Sequence, residues 1–145
     1  MTQEHIDLLT KDLSARLPYG VKVNADFIDF TRIGKLVSIG NNEELILSPN
    51  NGYPFDKKIE YCKPYLFPLS SMTEEQENEW NDLHLNPLGE ILEDKFIGRE
   101  KRLQLMFKSM VDPIQWCYKN HFDINGLIPM GLALKAPDGM YNQNI

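Results

Sequence analysis

Long apolar runs and cysteine are both scarce in this chain of 145 residues. No apolar stretch approaches the ~20 residues that a membrane-spanning helix needs. The two cysteines, Cys62 and Cys117, are too few for a disulfide scaffold and suit a reducing compartment. The first ten residues show no basic flank followed by an apolar stretch, so they predict no secretory signal. We therefore expect a cytoplasmic protein that does not enter the membrane.

The short motifs that prescribe a chemistry are also missing. Neither phosphate-binding loop, GxxxxGK(S/T) or GxGxxG, occurs, and the GxSxG turn of serine hydrolases is absent. No CxxC or HxxxH spacing occurs, and His5 and His84 are isolated, so we expect no metal site and no cofactor. These absences favour a protein that is not an enzyme, and they assign no catalytic residue.

The composition is that of an ordinary globular protein, with 42% apolar and 25% charged residues. This excludes a disordered or low-complexity chain. A chain of this length buries roughly 70% of its unfolded surface, which supports a core without metal or disulfides. We predict one domain over 1–145, with a helix and a small sheet in 1–68 and a mainly helical part in 69–145.

The formal net charge of −6 is unevenly distributed. The segment 73–94 contains eight acidic residues and no basic one, whereas 95–111 contains five basic residues and one acidic residue. We expect the two segments to lie close together and to neutralise each other in part. The alternative is an acidic face for a basic partner, as in a DNA mimic. The acidic balance makes nucleic acid an unlikely partner.

The apolar periodicity predicts an α+β fold. Apolar residues from Ile6 to Leu17 recur every three or four positions, which indicates a helix over 2–17, capped by Thr2 and ended by Pro18. Short strands are predicted at 21–27, 28–33, 35–39, 44–47 and 59–62. We place a bulge at Phe27-Ile28, a strand separator at Gly34 and a strand end at Pro64. These strands predict a small antiparallel curved sheet or barrel.

The sequence of the C-terminal half predicts helices separated by prolines. The first opens at Ser71 or Thr73, each in a capping-box spacing, and ends at 86–89. The second spans 99–110, and Asp112-Pro113 starts the third. Asp123 caps a last short helix, and 142–145 form a loose tail. Four residues form an apolar stripe on the second helix, which is either core or a docking surface for a partner: Leu103, Met106, Phe107 and Met110.

Candidate chemistry centres on His121. A carboxylate such as Asp123 orients an imidazole and raises its pKa, and Cys117 lies one helical turn before the histidine. The alternative to an interaction protein is therefore a small hydrolase that uses His121 with Asp123 or Cys117. The structural interpretation is that Asp123 caps a helix and His121 pairs with a backbone carbonyl. As a binding site we single out Trp116, Tyr118, His121 and Asp123.

A second alternative is weak binding of single-stranded nucleic acid by the sheet. Aromatic side chains interleaved with bases stack on nucleobases and attract the phosphates. The relevant residues are Phe27, Phe30, Arg32, Lys35, Lys57, Lys58 and Tyr61. The predicted sheet is close to neutral, so its field is weak, and core packing explains the phenylalanines equally well.

Three stretches of sequence carry a resemblance: KDLSARLPYGV at 11–21, KPYLFPLSSMTEE at 63–75, and the residues HFD at 121–123 that continue through GLI at 126–128 to GLALKAPDGMY at 131–141. Together they resemble a family of small uncharacterised proteins encoded by phages, prophages and other mobile elements of gut Bacteroidales. The segment 86–112 and the strands are less typical of it. The resemblance implies a bacterial cytoplasm and an accessory role for a phage. It implies no activity, cofactor or site residue.

Overall fold

The protein is an α+β structure, as predicted, in a computed structural model that describes residues 1–141. The tail predicted for 142–145 lies outside the described residues. The helices are α1 (Gln3–Arg16), α2 (Glu74–Glu93) and α3 (Arg99–Lys119). The strands are β1 (Lys22–Asp26), β2 (Thr31–Ile39), β3 (Glu44–Ser48), β4 (Phe55–Lys58), β5 (Cys62–Leu66) and β6 (Leu134–Lys135). No helix in the described part is long and apolar enough to cross a membrane.

The six strands form one open sheet in the order β4-β3-β2-β1-β5-β6. Strands β1 to β5 pair antiparallel, whereas β6 pairs parallel to β5 through Tyr65 and Leu66. The barrel alternative is therefore wrong, because β4 and β6 lie at opposite edges and do not pair. The mainly helical second half also contributes an edge strand that its sequence did not predict.

Helix α1 covers one face of the sheet. Its N-terminus is where the sequence placed it, since the Thr2 hydroxyl accepts a hydrogen bond from the His5 N–H. Its predicted apolar residues Ile6, Leu9 and Leu13 are buried against Val23, Leu36 and other strand residues. Burial of this single apolar stripe fixes the helix on the sheet.

Three predicted features of the sheet are wrong. Residues 27–30 form a turn, closed by a hydrogen bond from the Phe27 N–H to the Phe30 oxygen, and the register shift lies instead between Leu36 and Ser38. Gly34 does not separate strands but lies buried inside β2. Pro64 lies inside β5, opposite Val23, and residues 59–61 form a 3-10 turn. The apolar switch at residues 27–28 therefore marks a turn between strands and not a bulge within one.

Gly34 is required by close packing between strands. A Cβ atom built on it would lie 2.8 Å from the Cβ of Leu47 in β3, which is closer than two carbons approach. We expect Gly34→Ala to destabilise the fold by about 1–3 kcal/mol, because β2 and β3 must separate. Gly89→Ala in α2 is the matched control, since nothing lies within 4 Å of its Cβ position. There alanine should stabilise the helix by up to ~1 kcal/mol. Urea unfolding followed by circular dichroism measures both, and equal midpoints would contradict the packing argument.

Helices α2 and α3 form an antiparallel hairpin, here called the hairpin, that packs chiefly on itself. Thr73 and Gln76 make both bonds of the predicted capping box, whereas Ser71 bonds to the Pro68 carbonyl. The predicted helix end at 86–89 and the predicted helix start at Asp112-Pro113 are both wrong, because Pro87 and Pro113 lie inside continuous helices. Both rings are buried, so apolar burial offsets the backbone hydrogen bond that each proline removes.

The segment after α3 returns the chain to the sheet. Asp123 is buried, and its two carboxylate oxygens accept hydrogen bonds from the N–H groups of Leu127 and Ile128 at 2.8 and 2.9 Å. It therefore organises the following backbone as predicted, although that backbone forms turns instead of the expected short helix. The Phe67 N–H and carbonyl bond to residues 121 and 123, which joins this segment to the end of β5.

Candidate functional site

The four residues singled out as a binding site do not converge. Trp116 stacks on Phe122 with ring centroids 5.7 Å apart, inside a small core between the hairpin and the sheet. Tyr118 lies under the guanidinium of Arg16, 4.9 Å from its ring centroid. Asp123 is occupied by the two N–H groups of the turn that follows. Three of the four therefore have structural partners, and only His121 lines a large cavity.

His121 occupies a buried and strained position. It is 7% exposed, its φ of 64° lies in the left-handed region, and its ring stacks on Tyr141 at 3.5 Å. Within residues 1–141 its Nδ1 atom has no hydrogen-bond partner, so these residues do not supply the predicted pairing with a backbone carbonyl. Burial, with Arg16 and Lys22 nearby, lowers the pKa of His121 to about 4. The imidazole is neutral at pH 7, next to a cavity of about 620 Å³ that Lys22 and Lys35 also line.

Cys117 lines a different cavity from His121. Burial raises the pKa of the Cys117 thiol, so it is protonated at neutral pH and is a poor nucleophile. Burial also raises the pKa of Cys62 to about 12. Within residues 1–141, no three histidine, cysteine, aspartate or glutamate side chains are grouped as metal ligands. The described geometry thus does not assemble the thiol, imidazole and carboxylate that the hydrolase alternative needs.

The aromatic side chains at the end of the sheet are covered by cations of the same chain. The Lys57 ammonium lies 4.0 Å from the ring centroid of Phe27 and 5.0 Å from that of Tyr61. The Arg32 guanidinium lies 4.3 Å from the ring centroid of Phe55. These cation–π contacts occupy ring faces on which nucleobases would have to stack. These contacts therefore favour a role of the aromatic residues in stabilising the sheet over a role in binding single-stranded nucleic acid.

The predicted stripe on α3 is exposed and longer than expected. Its six side chains recur at three- and four-residue spacing and define what we call the α3 face: Leu103, Met106, Phe107, Met110, Val111 and Ile114. Phe107 is 61% exposed. A second set on the same helix, which includes Leu105, Pro113 and Trp116, is buried. A helix with two apolar stripes is suited to neighbours on two sides, and in the described chain α3 has a neighbour on one of them.

The α3 face leads into an apolar pocket of about 550 Å³ at the base of the hairpin, called here the Trp80 pocket. Ile114 belongs to both the face and the pocket. The other apolar lining comes from Leu69, Met72, Trp80, Pro113, Cys117 and Ile124. The indole N–H of Trp80 bonds to the Pro113 carbonyl at 3.2 Å, which holds the ring in place. Sequence reasoning missed this pocket because its residues come from four separate segments.

Sequence reasoning also missed the apolar residues at the tip of the hairpin. Phe96 lies in the turn between α2 and α3 and is 95% exposed. A hydrogen bond from its N–H to the Asp94 carboxylate, 2.9 Å long, orders the turn. Leu85 and Leu92 are exposed on α2. The signal that the sequence offered was an aromatic residue placed between two helices, where turns are usually polar.

Opposite charges on the hairpin lie near each other without forming ion pairs. A groove between the helices is lined by Asp82 and Glu90 of α2 and by Lys101 and Lys108 of α3. The expected proximity of the acidic and basic segments is therefore correct. In residues 1–141, however, the single ion pair within 4.0 Å joins Arg16 to Asp12, outside the hairpin. The charged side chains that the structure describes on the hairpin therefore form no ion pair with one another.

Searches of protein-family models, curated proteins and solved structures found no match to this chain.

Proposed function

We propose that this protein is a non-enzymatic interaction protein that docks onto another protein chain through the α3 face. The observation that carries the proposal is the continuous exposed apolar surface from Leu103 to Ile114, which runs into the Trp80 pocket. An apolar surface of this extent on a water-exposed helix is typical of an interface. The methionines in it adapt their shape to a partner more easily than branched side chains do.

The sequence resemblance indicates the biological context in which this interaction takes place. It favours an accessory protein of Bacteroidales phages or mobile elements that acts in the bacterial cytoplasm. The hairpin residues 86–112 lie outside the segments that carry the resemblance. The resemblance therefore does not extend to most of the docking surface.

The two alternative functions have weaker support. Hydrolysis is poorly supported because His121 and Cys117 line different cavities and both carboxylate oxygens of Asp123 accept hydrogen bonds from the following turn. Binding of single strands is poorly supported because Lys57 and Arg32 already cover ring faces of Phe27, Tyr61 and Phe55. Neither alternative explains the exposed apolar side chains of α3.

Site-specific photo-crosslinking in living bacteria tests the docking function. The photoreactive residue p-benzoylphenylalanine replaces Phe107 on the α3 face in one variant and Tyr53 in the control. Tyr53 is 89% exposed and lies in the β3–β4 loop, outside the hairpin. We expect discrete adducts with other protein chains at position 107 and none at position 53. Equal adduct patterns at both positions, or an absence of adducts at 107, would contradict the proposal.

A further inference from the structure

We infer that the chain that docks on the α3 face is a second copy of this protein, and that two hairpins pair antiparallel about a two-fold axis into a four-helix bundle. This inference rests on the proposed function, whose surface it occupies. Three independent features of the hairpin support it: its apolar area, the match between its tip and its base, and the placement of its unpaired charges.

The apolar area is large enough for a stable dimer. Nine large apolar side chains of the hairpin are exposed: Leu85, Leu92, Phe96, Leu103, Met106, Phe107, Met110, Val111 and Ile114. Together they expose on the order of 900 Å²; the six residues of the α3 face alone expose on the order of 550 Å², which is at the upper end of the largest apolar patch of a typical monomer. A standard interface buries roughly 800 Å² on each partner. Pairing of two α3 faces covers the exposed apolar stripe of each α3 helix with the other copy.

The tip and the base of the hairpin are complementary in shape. Phe96 projects from the tip, and the Trp80 pocket opens at the base beside Ile114. Met106 lies about midway between Phe96 and Ile114 along the chain. A two-fold axis at Met106 therefore brings the Phe96 of each copy to the Trp80 pocket of the other. Helix α3 has 21 residues and is about 30 Å long, which gives the two helices an extended contact.

The charges at the two ends of the hairpin are complementary in the same arrangement. Arg99 and Arg102 lie four residues before Leu103 and Met106, so they flank the α3 face at the tip. Glu74 and Glu77 begin α2 at the base, and Glu77 lines the Trp80 pocket. Antiparallel pairing places the arginines of each copy next to the glutamates of the other. A parallel pairing would place like charges together, so the charges select the antiparallel form.

Sedimentation equilibrium with the full chain tests the dimer. We expect a mass twice the 16.8 kDa of one chain at about 50 µM protein. Met106→Glu puts two carboxylates at the axis and should weaken the dimer about 100-fold or more. Phe96→Ala should weaken it about 30-fold, because it empties both Trp80 pockets. Ile28→Glu is the matched control, since Ile28 is fully exposed in the β1–β2 turn and should leave the dimer intact.

A charge exchange tests the orientation. The variant Arg99→Glu/Arg102→Glu and the variant Glu74→Arg/Glu77→Arg should each be mainly monomeric, because four like charges meet at each end of the dimer. An equimolar mixture should restore the dimer as a heterodimer. At one end of it the charge pairs are reversed, and at the other end they are native. All four residues are exposed, so we expect each variant to fold, and circular dichroism checks this. A mixture that stays monomeric would overturn the antiparallel arrangement.

Sedimentation of the full chain and photo-crosslinking at position 107 together distinguish failure of the dimer from failure of the docking function. A wild-type chain that sediments as a monomer, with a position-107 adduct to a different protein, would overturn the dimer and leave the docking function standing. A dimer unaffected by Met106→Glu and Phe96→Ala would also overturn the inference. Adducts at twice the mass of one chain support both.

Discussion

Replacement of Asp12 by alanine is expected to destabilise the protein by about 3–5 kcal/mol. Asp12 and Arg16 are one turn apart in α1, are both fully buried, and form an ion pair with Nε and Oδ2 2.7 Å apart. The Arg16 guanidinium also donates to the Phe122 carbonyl at 2.7 Å. Without Asp12 this charge loses the counter-ion that residues 1–141 give it in the low-dielectric interior. Guanidinium chloride unfolding, followed by circular dichroism, measures the loss.

Two further variants show whether the buried charge causes the effect. Asp7→Ala removes an exposed carboxylate from the same helix and should change stability by less than ~0.5 kcal/mol. Asp12→Ala/Arg16→Met removes the charge together with its partner and should cost less than Asp12→Ala and Arg16→Met added together. A loss of under ~1 kcal/mol for Asp12→Ala would show that water or another group solvates Arg16.

The pair illustrates what periodicity predicts and what it does not. The spacing of Ile6, Leu9 and Leu13 located α1 to within a residue at each end, because burial of one face dictates that spacing. The same rule places charged side chains on the solvent side. Arg16 is buried because the Phe122 carbonyl lies over it from a segment 106 residues away. A contact between such distant segments leaves no periodic signal in the sequence.

The prolines show a second way in which local rules fail. Pro18 ended α1 as expected, whereas Pro87 and Pro113 lie inside α2 and α3. The local cost of proline in a helix is a lost hydrogen bond and a steric clash. Both internal rings are buried, so tertiary packing offsets that cost, and the packing partner was not known from sequence. Helix α2 is therefore longer than predicted, and α3 joins two predicted helices into one.

The candidate site was predicted only in part. The spacing of Leu103, Met106, Phe107 and Met110 revealed one face of α3, but the same spacing describes a core stripe and a docking stripe. The choice between them needs the position of α2, which covers the other face. The Trp80 pocket and the Phe96 tip depend on that same arrangement. His121 was singled out for chemistry that its surroundings do not supply.

Stability is expected to fall as the pH decreases from about 6.5 to 4, in part because of His121. Burial, together with Arg16 and Lys22, lowers the pKa of His121 to about 4 in the folded protein, whereas an unfolded histidine titrates near pH 6.5. Between these values the unfolded chain binds the proton and the folded chain does not. Protonation therefore favours unfolding. The free energy of unfolding is unaffected by this group above pH 6.5 and decreases as the pH falls from 6.5 to 4. The shift corresponds to roughly 2–3 kcal/mol once water at the cavity edge is allowed for.

The variant His121→Asn isolates this contribution. Asparagine tolerates the left-handed φ of 64° that His121 adopts, and it does not titrate. Carboxylates also protonate in this pH range, but they do so in both proteins, so the difference between the two stability curves reports the imidazole alone. Urea unfolding at pH 4, 5, 6 and 7 should give a steeper loss for the wild type than for the variant. Parallel curves would mean that the imidazole reaches solvent and titrates normally, which contradicts its position under Tyr141.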